Sequence, residues 1–271
     1  MRREPLRVML TGGSRGIGAA IAQALRQDGA QLALIVRDAT LASRNARVSG
    51  AHYVEGDLLE ADPDELVRLA AEVLGGLDVL INCAGIVEYQ GVPAISPDAI
   101  DRQLRVNFVA PLRLAQAAAA RMRVEGRGHI ISIASTLALS PAPLTAVYGA
   151  TKAALIAATR SLALELAADG ICVNAVAPGV IDTDMVRAVR VRPGEAPLSP
   201  RQAATRVGEE LEALRRLHLL GRLGKPSDVA GAVRYLLASS WVTGTVLRVD
   251  GGLTLGSSGD GGGAAVASRD P

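Results

Sequence analysis

The sequence predicts a single α/β domain: a doubly wound parallel sheet of about seven strands with helices on both faces. Three observations lead there. Short runs rich in β-branched residues or leucine alternate with longer Ala-rich segments. The short runs are apolar nearly throughout, the pattern of strands buried on both faces. A glycine-rich turn sits directly between the first strand and the first helix, where such folds hold a phosphate.

The elements follow in order. RVMLT (7–11) is the first strand, and the turn after it opens a helix over about 16–28. QLALIV (31–36) and AHYVE (51–55) are the next strands, with a helix at 63–74. LDVLIN (77–82) precedes one long helix at 97–124, and GHIISIAS (128–135) precedes another at 146–168. ICVNAVA (171–177), a helix at 226–238 and TVLRVD (245–250) complete the alternation. Three segments stand apart. Residues 38–50 are short and polar where a full helix had room. Residues 184–221 are Arg/Glu-rich, carry Pro193, Pro197 and Pro200, and have no strand character. Residues 256–271 are Gly/Ser-rich and cannot build a core. The expected organisation is one domain over 1–255, with 184–221 as a lid, and a disordered tail over 256–271.

Composition narrows the function classes. The chain has 271 residues, 49% of them hydrophobic, enough for a large core. A net charge of +2 gives no general case for a nucleic-acid or acidic-membrane partner. Cys83 and Cys172 lie far apart, and His52, His129 and His218 are scattered, so no metal cluster is expected. The start, MRREPLRVML, is basic, but its apolar run ends at TGGSRG without a signal-peptide core. The other apolar runs are short or broken by charge, so no membrane span is expected. A soluble cytoplasmic protein is the expectation.

The turn VMLTGGSRGIGAAIAQAL carries the first functional signal. Gly12 permits a tight turn, Gly16 lets amides approach a pyrophosphate, and Gly18 lets helix and sheet pack closely. This is a Rossmann-type dinucleotide site. An NAD site wants a carboxylate at the end of the second strand. Here Val36 stands at that place and Arg37 follows, with Arg15 inside the glycine turn. Two guanidiniums can clamp a 2′-phosphate, which favours NADP(H) over NAD(H). Asp38, one residue later, serves NAD if the strand end is shifted.

Together these motifs resemble the short-chain dehydrogenase/reductase family, over about residues 6–255. TGGSRGIG matches the family's TGxxxGxG, with Ser14 and Ile17 inside it. GDL supplies an adenine-binding Asp57 with Leu58. NCAG stands for NNAG, giving Asn82, Ala84 and Gly85, with Cys83 in place of the second Asn. VNF supplies Asn107, IISIAS ends at Ser135, and YGATK supplies Tyr148 and Lys152. APGVIDTDM gives Pro178, Gly179, Ile181 and Thr183.

The resemblance implies roles. Hydride transfer to a ketone leaves charge on oxygen, and Tyr148 is the candidate acid. An unperturbed tyrosine has a pKa of about 10. Lys152, one helical turn on, is expected to lower it and to bind the nicotinamide ribose. Ser135 is expected to hydrogen-bond the carbonyl, and Asn107 to hold a water that links the lysine to solvent. Cys83 is expected to be a small apolar filler rather than a reactive thiol.

The segments GVIDTDM and GRLGKPSDVAGAVRYLL look most like bacterial 3-oxoacyl-acyl-carrier-protein reductases. The implied activity is NADPH-dependent reduction of a 3-oxoacyl or related ketone, free or linked to a carrier protein or CoA. Those reductases have docking arginines beside the active-site mouth, where this chain has Gly126 and Asp169. Arg127 adjoins the first, and Asp169 would repel an acidic carrier. The lid arginines Arg187, Arg190, Arg192, Arg201, Arg206, Arg215 and Arg216 would cover an anionic or bulky substrate. Alternatively Glu195, Glu209, Glu210 and Glu212 offset them in a solvated lid. Two other readings stay open: an alcohol, sugar or steroid dehydrogenase running oxidatively, and a cofactor-binding protein without turnover. Relatives commonly form tetramers or dimers through the helices near 97–124 and 146–168 and the last strand, so a homo-oligomer is expected.

Overall fold

The structure, a computed structural model, describes residues 4–39, 48–188 and 199–256. Part of the polar segment after the second strand (40–47), part of the lid (189–198) and the tail from 257 lie outside the described residues. Seven parallel strands form one sheet: β1 (Arg7–Thr11), β2 (Gln31–Val36), β3 (His52–Glu55), β4 (Val79–Asn82), β5 (Gly128–Ile133), β6 (Ile171–Pro178) and β7 (Val246–Val249). Their order is β3-β2-β1-β4-β5-β6-β7. The chain reverses its direction of travel across the sheet between β1 and β4, so their carboxyl ends open the crevice where such sheets bind ligands.

Helices cover both faces. They are α1 (Gly16–Gln27), α2 (Pro63–Leu74), α3 (Pro97–Leu104), α4 (Ala110–Glu125), α5 (Ala146–Leu166), α6 (Asp184–Arg187), α7 (Pro200–Arg216), α8 (Pro226–Ala238) and α9 (Leu253–Gly256). The alternating strand residues feed two cores. Met9, Ile35, Leu80 and Ile130 pack under α2, α4 and α5. Val8, Leu34, Ile81 and Ile131 pack under α1 and α8. This two-sided burial is why the strands lack polar alternation.

One expectation changes. The single helix at 97–124 is instead α3 and α4 joined by a one-turn π segment, Arg105–Val109, that contains Asn107. Pro111 has no N–H to return to the Asn107 carbonyl, so the regular ladder cannot run through this turn. The lid is helical where described. Ser199 and Gln202 form a reciprocal cap at the start of α7, and no residue of that helix is buried. Arg215 and Arg216 both pair with Glu212, and Arg187 pairs with Asp182. These pairs fit a solvated lid rather than a row of free cations.

Candidate active site

The glycine turn is fixed by close backbone approach. A Cβ on Gly12, at φ +73°, would lie 2.9 Å from Ala84 N and Cα. One on Gly18 would lie 2.1 Å from the Gly12 carbonyl oxygen. Thr11 ties the two loops, its Oγ1 accepting from Cys83 N at 3.0 Å and Ala84 N at 3.1 Å. Arg15 begins α1 without a side-chain cap, and the first turn holds no acid. The first amides and the positive end of the helix dipole are thus left for an anion. A cleft of about 430 Å³ opens over this turn.

Gly12, Ser14, Arg15, Gly16, Ile17 and Gly18 line one side of that cleft; Arg37, Asp57 and Leu58 line another. Ala84, Gly85 and Thr183 also border it, the last with Cγ2 3.3 Å from where a Gly16 Cβ would be. Arg15 and Arg37 are both exposed at its rim. Asp57 Oδ1 accepts from Leu59 N, which leaves the other oxygen toward a ligand. The residues present fit a dinucleotide: small groups where a pyrophosphate needs approach, cations and a carboxylate where sugar and phosphate need partners.

Some predicted cofactor residues lie elsewhere. Asn82 is 2% exposed, and its Nδ2 donates to Pro111 O, so it braces α4 rather than lining the cleft. Gly179 abuts β7: a Cβ there would lie 2.9 Å from Asp250 Cα and 3.1 Å from His218 Nε2. Gly179 and Ile181 line a separate cavity of about 280 Å³, and the Pro178 carbonyl accepts from Thr136 Oγ1. These contacts are tertiary and have no local signature. Sequence reading also missed Thr11 and His218. The latter accepts from Val180 N through Nε2, which puts the proton on Nδ1, facing Leu214 O. Asp184 and Met185 border the cleft as well; the threonine before them was the only signal.

Beside the cleft, Ser135, Tyr148, Lys152 and Asn107 converge. Ser135 ends the β5 segment, close enough to Tyr148 for its hydroxyl to favour the phenolate, and its Oγ accepts from Leu137 N at 3.1 Å. Lys152 is 4% exposed, with Nζ donating to Ile133 O at 2.9 Å and lying 5.8 Å from the Tyr148 ring centroid. Asn107 is fully buried. Its Oδ1 accepts from Ile86 N, and its Nδ2 donates to Ile86 O and Thr151 Oγ1. Thr151 in turn donates to Tyr148 O. A Cβ on Gly85 would sit 3.3 Å from Asn107 Oδ1 and 3.4 Å from Lys152 Nζ, so this glycine lets both side chains come close to its loop. Among the described residues, no three His, Cys, Asp or Glu side chains could hold a metal.

The electrostatics differ from expectation. Burial pushes Tyr148 up to about 12, against the pull of the Ser135 hydroxyl. Burial also brings Lys152 down to about 8. Desolvation dominates both shifts, and the ammonium donates to the Ile133 carbonyl rather than to the phenol. Cys83 borders the cleft, but burial pushes its thiol up to about 12, so it is not a ready nucleophile. Gly126 and Asp169 are also not beside this site. They precede β5 and β6, at the amino-terminal end of the strands, a full strand length of about 20 Å from Ser135. Asp169 is bound by Arg123 at 2.6 Å, which balances its charge.

Comparison with known proteins agrees with this fold. A family model described as enoyl-(acyl carrier protein) reductase matches residues 12–254. The human "dehydrogenase/reductase SDR family member 4" is 31% identical, over 93% of this chain and 89% of its own length. The versicolorin reductase of Emericella nidulans is 35% identical, over 90% and 94%. The solved structure of ElxO with NADP bound matches with a TM-score of 0.81 at 26% identity, over 93% of this chain and 99% of that one. Matches that span nearly the whole chain place the protein in the short-chain dehydrogenase/reductase family, oxidoreductases that use nicotinamide cofactors.

Proposed function

We propose that the protein is an NADPH-dependent ketoreductase that turns a carbonyl, 3-oxoacyl-type or a related ketone, into a hydroxyl. The observation that carries this reading is the convergence of Ser135, Tyr148 and buried Lys152 next to the glycine turn. When bound, the reduced nicotinamide supplies the hydride. Ser135 holds the carbonyl oxygen and Tyr148 gives it a proton. Tyr148 is protonated at neutral pH, as a proton donor must be. Lys152 supplies positive charge toward the ribose and phenol. Asn107, whose carbonyl has no donor four residues on, holds the water that returns a proton to Lys152. The catalytic domain spans 1–255 with 184–221 as lid, and the protein is cytoplasmic.

Arg15 and Arg37 flank the cleft and support NADPH. Arg15→Ala and Arg37→Ala are each expected to weaken NADPH about tenfold and NADH less than threefold, by titration calorimetry. Tight NADH with weak NADPH in the parent chain would favour the oxidative NAD reading. Two copies would meet across α4 and α5, where Val124 and Leu164 are 87% and 84% exposed.

A pH dependence follows from Lys152. Its pKa falls to about 8, so it is charged below that pH and neutral above. The kcat/KM for reduction, which reports the free enzyme, is expected to be flat below about pH 8 and to fall about tenfold per pH unit above it. A profile flat to pH 10 would remove the ammonium from the mechanism.

A further inference from the structure

We propose that the substrate carbonyl carries an uncharged apolar substituent and that Leu144 is the contact that favours a longer one; this rests on the carbonyl-reducing reading above. Two loops border Tyr148. One, residues 86–95, leads from Gly85 toward α3; the other, 136–145, leads from Ser135 to α5. They are fastened together at Leu144, whose carbonyl accepts from Gln90 N at 3.0 Å. A Cβ on Gly91 would lie 3.6 Å from Leu144 Cδ2. Tyr89 is close enough to act electrostatically on the Tyr148 phenol, and Leu144 lies four residues before Tyr148, just ahead of α5. The fastening thus flanks the reacting group from both loops.

Leu144 is the one non-glycine with positive φ among the described residues, at +67°. The conformation is costly for a side chain with a Cβ, and leucine has no polar group to offset it. Core packing does not explain it either, since the residue is 52% exposed. A strained, half-exposed leucine beside the reacting phenol fits a contact made for a ligand. Val92 and Leu139, on the same two loops, are also exposed, and large apolar groups gathered around a site form an apolar contact surface. Charge agrees with this. Across 86–95 and 136–145 the one charged residue is Glu88, and Arg102 holds it through two hydrogen bonds of 3.0 and 2.9 Å. These loops offer no cation to a carboxylate or phosphate.

The test compares 2-butanone, 2-octanone and 7-oxooctanoate as substrates, with NADPH and with NADH, following absorbance of the reduced nicotinamide. A parallel measurement reads the Tm rise given by 2-butanol and 2-octanol in the presence of the oxidised cofactor. For the parent chain, kcat/KM for 2-octanone is expected to exceed that for 2-butanone about 200-fold if all four added methylenes are buried, and to exceed that for the anionic ketone. In Leu144→Gly, which accepts the same backbone without strain, the octanone/butanone ratio is expected to fall at least fivefold. The loss appears more in KM than in kcat, and Tm is not lowered. An unchanged ratio, or preference for 7-oxooctanoate, overturns the proposal. If no ketone oxidises either cofactor, the carbonyl-reducing reading fails, and Tm decides this one separately. A larger rise with 2-octanol that Leu144→Gly abolishes supports it; equal rises in the two proteins overturn it.

Discussion

Tyr148→Phe is expected to lower kcat for carbonyl reduction about a thousandfold, within the range a positioned general acid contributes. The substitution removes one oxygen. The ring keeps its place, because the turn around it is held through backbone and neighbours: Thr151 Oγ1 bonds the Tyr148 carbonyl, and Asn107 bonds Thr151. Dinucleotide affinity should therefore weaken by no more than about fivefold, by fluorescence titration. Ser135→Ala, which removes the hydroxyl beside Tyr148 and with it one donor to the carbonyl oxygen, should cost about a hundredfold. The double variant should fall little below Tyr148→Phe alone, since groups acting as a unit are not additive. A Tyr148→Phe enzyme with parental kcat would leave the proton to some other donor and sink the mechanism.

The residues differ in how visible they are in the sequence, for physical reasons. The sheet was legible because strands buried on both faces need apolar side chains at every position. Val8, Met9 and Leu10 are all 0% exposed, and no other element of this length asks for that. The glycine turn was legible because Gly12 and Gly16 take positive φ and Gly18 meets backbone. Lys152 was legible as a residue and not as a charge. Spacing placed it one turn from Tyr148, but desolvation, which lowers it to about 8, depends on what α5 is packed against. Gly179 illustrates a motif glycine with a different reason behind it, since its neighbour is β7 and His218, joined only by folding. The π turn at Asn107 lay between these cases. Pro111 advertised a missing N–H, yet the long Ala-rich run masked the break.

Gly18→Ala is expected to abolish measurable dinucleotide binding, weakening it at least a hundredfold, and to lower Tm. The contrast that gives this meaning is a second helical glycine, Gly231 in α8. Neither takes positive φ, so backbone strain does not separate them. Intrinsic propensity favours alanine at both by about 1 kcal/mol. Contact alone separates them: a Cβ on Gly231 meets nothing within 4 Å, while one on Gly18 lies 2.1 Å from Gly12 O and 2.8 Å from Gly12 C. Those are backbone atoms of the turn, with no rotamer to move aside. Relief requires α1 to retreat from the turn by about 1 Å, and a displacement of that size is enough to spoil a preorganised site. The overpacking itself costs roughly 1–3 kcal/mol. Gly231→Ala should instead hold or raise Tm and leave binding untouched. If Gly18→Ala bound NADPH as the parent does, the close approach of helix and turn would not be what shapes the pyrophosphate site. The cleft's affinity would then have to come from side chains at its rim, Arg15 and Arg37 first among them.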